Sequence, residues 1–91
     1  MDGERIFFDE LKMIQDVVVN TMLSNEKKYD AVEDLLKDTT YETLYKFMEL
    51  IDGYGINRRK YEIKDLENDE IINSKINIHN KCEEHLLHTD I

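Results

Sequence analysis

Apolar residues recur along the first half of the chain at steps of three and four. Phe7, Leu11, Ile14, Val18 and Met22 form one helical stripe, widened by Phe8 and Val17. The pattern predicts a helix over 4–23. Asp2 stands at its N-cap position, and Glu4, Asp9 and Glu10 suit the positive end of the helix dipole. Val17-Val18-Val19 lowers helix propensity, because β-branched side chains lose freedom against the preceding turn. The apolar period is nonetheless not two, so the helix reading holds. Ser24-Asn25 marks a stop and a restart, with either residue as cap. A second helix is predicted over 26–37, burying Tyr29, Val32, Leu35 and Leu36. Thr39-Thr40-Tyr41-Glu42 fits a capping box and predicts a third helix over 40–52. Its stripe is Tyr41, Leu44, Tyr45, Met48 and Ile51, with Phe47 on the edge, and Gly53 or Gly55 closes it.

The pattern changes after Gly55. Tyr61 and Ile63 alternate with Glu62 and Lys64, as in a short half-buried strand. A lone strand is unstable. Ile71, Ile72, Ile76 and Ile78 supply a partner, with 67–70 as the turn. The competing reading is a helix over 69–88, since Ile71, Ile78, Cys82 and Leu86 also share a face. Three Asn and four Ile in that stretch weigh against one unbroken helix. The expected fold is mainly α: a single small domain over 1–91, a bundle of three to four helices. It includes a short β-hairpin or extended segment at about 59–77, and a last helix at about 78–88.

The run from Tyr41 to Gly55, with its Leu50-Ile51-Asp52-Gly53 ending, resembles a segment of small acidic proteins of Gram-positive bacteria. The resemblance spans about half of the chain and places His79 at the start of a terminal helix. It implies helices with a small extended insert. It carries no activity and no functional residues.

Charge narrows the class. The chain has 21 acidic and 12 basic residues among 91, a net charge of −9. Residues 1–53 hold 13 acids and 6 bases, so most of the excess lies there. A nucleic-acid binder neutralises phosphates with Lys and Arg. This balance opposes that at long range and suits a basic protein partner. No apolar run approaches the ~20 residues of a membrane span, and the acidic start is unlike a secretory signal. With a single Cys besides, the expected address is the cytoplasm.

Candidate chemistry is sparse. His79, Cys82, His85 and His88 are spaced by three and offer zinc-ligand types. On a helix, however, each step of three falls about 60° behind the last, so four cannot converge on one ion. Neither a native metal site nor a cofactor is expected. Cys82 with His85 lacks the oxyanion hole and orienting group of a thiol nucleophile. The pairs Asp9-Glu10, Glu33-Asp34 and Asp69-Glu70 read as solvated surface, since helical neighbours diverge. Gly53-Tyr54-Gly55 precedes a strand pattern, so it is no phosphate loop. Tyr54, beside Arg58 and Arg59 in the basic cluster, is the expected exposed contact.

These features describe a small acidic, non-enzymatic interaction module. An immunity protein, antitoxin, inhibitor or phage-type regulator bound to a basic protein fits them best. The alternative is a structural homodimerisation module that shares the first helix, whose Phe8–Val17–Val19 flank would need cover.

Overall fold

The computed structural model describes residues 3–88. Three α-helices and one two-stranded hairpin form it: α1 (Gly3–Asn25), α2 (Val32–Ile51), β1 (Lys64–Asp65), β2 (Glu70–Ile71) and α3 (Cys82–His85). Glu26–Lys28 is a 3-10 turn between α1 and α2. Ile78–Lys81 is another that runs into α3. The N-cap expected at Asp2 lies outside the described residues.

α1 forms as its stripe requires. The helices run antiparallel: Phe7 meets Phe47, while Met22 and Tyr41 share a cleft at the other end. Val18 and Met22 from α1 are buried with Leu50 and Ile51 from α2 and Ile78 and Cys82 from the C-terminal segment. The molecule measures 43 × 29 × 19 Å. The shortest dimension is hardly two helix diameters, so a helix pair of this length keeps much of its flanks in water.

Of the helix predicted at 26–37 only 32–37 is α-helical, and it runs without a break into the one predicted at 40–52 as a single helix, α2, while 26–28 is a separate 3-10 turn. No chain break occurs at Thr39–Glu42, because the threonines turn their hydroxyls backward. Thr39 donates to the Leu35 carbonyl at 2.7 Å, Thr40 to Leu36 at 3.0 Å, and Thr43 to Thr39 at 2.8 Å. A hydroxyl spent on the previous turn cannot cap the next one. Ser24 and Asn25 do likewise, donating to the Asn20 and Thr21 carbonyls of α1. α2 instead starts after Ala31 without a side-chain cap, with Glu33 and Asp34 in its first turn. Merging the helices also changes which residues are covered. Leu11, Leu35 and Met48 are half-buried, but Val32, Leu36 and Leu44 are exposed.

α2 closes at Gly53, whose φ of 96° suits glycine. The Tyr54 N–H donates to the Glu49 carbonyl and the Gly53 N–H to Leu50, the paired bonds of a Schellman motif. The chain then returns, and the Tyr61 N–H donates to the Ile51 carbonyl at 2.8 Å. Tyr61 rests edge-on against Phe7, 5.2 Å between ring centres.

The hairpin is shorter than the alternation predicted. Lys64 pairs with Ile71 and Asp65 with Glu70 around a turn at 66–69, one residue earlier than expected. Asp65 holds the turn by accepting from the Glu67 N–H and the Asn68 amide. Beyond the ladder, the Ile72 N–H reaches the Ile63 carbonyl. There the Asn73 side chain takes over from backbone. Its Nδ2 donates to the Tyr61 carbonyl at 2.7 Å, and its Oδ1 accepts from the Ile63 N–H at 3.0 Å. Asn73 is only 1% exposed. The last helix is a 3-10 turn plus four α residues, shorter than the predicted 78–88.

Candidate functional site

Among the described residues, three polar side chains are buried: Glu10, Asp52 and Asn73. Asn73 serves the hairpin. Asp52 and Glu10 flank the loop that follows α2.

Asp52 sits at the end of α2, where a carboxylate opposes the helix dipole. A partner offsets this. Its Oδ2 accepts from the His79 backbone N–H at 2.9 Å and lies 2.7 Å from the His79 ring Nδ1. One oxygen thus pins both backbone and ring of the C-terminal segment to α2. The ring is walled edge-on by Tyr45 (5.6 Å) and Tyr54 (5.2 Å). Cys82 is buried nearby. Its burial, then the charges of Asp52 and Glu49, push its thiol up from the ordinary range. A thiol so held stays protonated at neutral pH, which is the reverse of an activated nucleophile. The arrangement is a clasp.

The structure separates the four zinc-type candidates. His79 is committed to Asp52. Cys82 is buried, His85 is exposed beside Glu84, and His88 lies on Tyr41, 4.8 Å between rings. Among the described residues, no three of His, Cys, Asp and Glu gather closely enough for a metal ion.

Glu10 is a correction to the surface reading of Asp9-Glu10. It shares a helical line with Phe7, Ile14 and Val17, and the loop after α2 folds over it. Its Oε1 accepts from the Asn57 N–H at 3.0 Å, while Oε2 is buried without a hydrogen-bond partner. Gly55 makes the approach possible. A Cβ there would stand 2.6 Å from Glu10 Oε1 and 2.8 Å from Leu50 Cδ1. Glu10 lines an open cleft of about 230 Å³, walled by Met13, Ile14 and Val17 of α1 and by Tyr54 and Ile56 of the loop. Lys46 and Glu49 stand opposite each other in charge on its α2 side. With Glu10, the lining carries two acidic side chains and one basic.

The expected contact residues fall at and beyond this rim. Tyr54 is half exposed, and its hydroxyl accepts from Asn77 Nδ2 at 3.1 Å. Arg58 takes a left-handed φ of 53° in the turn closed by its N–H to the Gly55 carbonyl. Arg58 and Arg59 are exposed and do not line the cleft. Tyr54 is exposed, as expected, while the sequence pattern does not single out Glu10 or Asp52.

The tyrosines give the fold a pH limit. Tyr29 donates its hydroxyl to Asp38 at 2.7 Å, and burial together with that bond pushes its phenol up to about 12. Burial raises Tyr41 and Tyr45 as well. Phenols raised in the fold favour it fully below their unfolded value near 10. They withdraw that support as pH climbs through about 12. A urea-denaturation series should show stability falling from pH 10 upward, with a shallower fall in Tyr29→Phe.

Neither a family model, nor a curated protein, nor a solved structure matches this chain. No helix among the described residues is long and apolar enough to cross a membrane.

Proposed function

We propose that this protein is an acidic interaction module that binds a basic protein partner, using the Glu10 cleft to receive a cationic side chain. The observation that carries the reading is the unpaired Glu10 Oε2 beneath aliphatic walls. A buried carboxylate oxygen without a partner is costly. A lysine or arginine that parts the cover over this oxygen would satisfy it while laying its methylenes against Met13, Val17 and Ile56. The net charge of −9 steers such a partner toward the surface. Its role is then that of an inhibitor, immunity protein or antitoxin that masks a basic protein, and it needs no catalytic group of its own.

The test is a nuclear magnetic resonance titration of labelled protein with an amphipathic leucine–lysine peptide. Shift changes should centre on Val17, Tyr54, Gly55 and Ile56. Affinity should fall by at least about tenfold between low and physiological salt. Glu10→Gln, which keeps the shape and removes the charge, should weaken binding by a similar factor. Binding that ignores salt, or is equally tight in Glu10→Gln, would overturn the reading.

A further inference from the structure

The opposite flank of the helix pair follows different rules. Phe8 and Val17 are nine residues apart, so they lie on opposite sides of α1. Val17 lines the Glu10 cleft. Phe8 lines a long groove with Leu11 of α1 and with Thr43, Leu44 and Phe47 of α2. Phe8 is 60% exposed and Leu44 40% exposed, and neither is covered by the hairpin or by α3.

Charge says what can cover this groove. Along α1 the flank continues at helical spacing through positions 8, 12, 15, 19 and 23: Phe, Lys, Gln, Val and Leu. Along α2 it runs through 36, 40, 43 and 47: Leu, Thr, Thr and Phe. In a chain with 21 acids, neither stripe holds one. Carboxylates return at the far ends, Glu4 and Glu33, and at the rim, where Asp16 pairs with Lys12 at 3.1 Å. A basic partner finds no counter-charge here. A second copy of this chain, repelled by its twin across most of the surface, meets few carboxylates on this flank, and the Lys12–Asp16 pair at the rim is balanced within itself.

The size agrees. A helix pair with about 20 residues each presents a face roughly 30 Å long and 20 Å wide, near 600 Å². That lies close to the ~800 Å² per partner of a standard interface.

We infer that the flank of Phe8, Leu11, Leu44 and Phe47 is the seat of a second copy of this chain, the two helix pairs closing into a four-helix bundle. This is independent of the Glu10 cleft, which lies on the other side of α1 and stays open in the dimer.

Sedimentation velocity over a concentration series tests it. A monomer–dimer equilibrium is expected at micromolar to tens-of-micromolar protein. It should tighten as salt rises, because screening relieves the repulsion between two acidic chains. Thr43→Arg adds bulk and charge at the groove without emptying the core, and should weaken dimerisation by at least about tenfold. Phe8→Glu should do the same from the facing helix, while Val17→Glu should leave the dimer intact. Circular dichroism confirms that each variant retains its helices. A monomer at tens of micromolar in high salt would overturn the inference. So would a dimer that survives both Thr43→Arg and Phe8→Glu, or one that dissociates in Val17→Glu.

Discussion

Asp52→Ala should destabilise the fold by about 3 kcal/mol. The side chain is fully buried, and one oxygen serves two donors of His79. Removing it strands the His79 N–H and ring nitrogen against the end of α2. The loss of the orphaned Oδ1 returns part of the cost. Domains of this size are held by roughly 5–14 kcal/mol in all, so the loss is a large share. Asn at 52 keeps the shape and one acceptor, but brings an amide donor into the same pocket. The expected order is therefore Asp, then Asn, then Ala. Urea denaturation of the three proteins gives the ranking. Equal stability of the wild type and Asp52→Ala would mean that the clasp does not hold the C-terminal segment. A double-mutant cycle with His79→Ala isolates the pair, with a coupling of about 1–3 kcal/mol expected.

Asn73 is the second sensitive position. Its amide stands in for a strand residue, answering the Tyr61 carbonyl and the Ile63 N–H at once. Asn73→Ala strands both groups and leaves a hole, a loss of about 2–4 kcal/mol. Asn73→Asp is the sharper test, because it changes one atom. It keeps the acceptor for Ile63 and sets a second oxygen where Nδ2 now lies 2.7 Å from the Tyr61 carbonyl. Two acceptors at that distance repel, so the near-isosteric change should also cost at least about 2 kcal/mol. Amide hydrogen exchange locates the damage. In Asn73→Ala the Ile63 amide should lose its protection, while the middle of α1 keeps its own.

The helical half of this fold is legible in the sequence because its signal is local. The stripes through Phe7–Met22 and Tyr41–Ile51 repeat within a few residues, and both become helices. The false break at Thr39 is also local in origin. A threonine before Glu42 fits a cap, and only the surrounding helix decides that its hydroxyl turns back to Leu35 instead. The hairpin alternation around Tyr61 and Ile63 points to extended chain, but the length of the ladder depends on Asn73, which alternation does not reveal.

The candidate site was hidden because it is made by long-range closure. Glu10 and Asn57 are 47 residues apart, and Asp52 and His79 are 27 apart. Nothing local distinguishes Glu10 from the solvated acids around it, except that it shares a helical line with Phe7, Ile14 and Val17. Asp52 left one hint: a carboxylate at the negative end of a helix calls for a donor. His79, read only among the zinc-ligand types, is that donor.

The most direct test of the functional reading is a sedimentation series in salt, run with and without the leucine–lysine peptide. The two flanks of the helix pair differ in charge, so the two associations should answer salt in opposite ways. Dimerisation should strengthen and peptide binding should weaken over the same range. Both associations weakening together, or neither responding, would contradict the division of this small protein into an acidic receiving cleft and a carboxylate-poor pairing face.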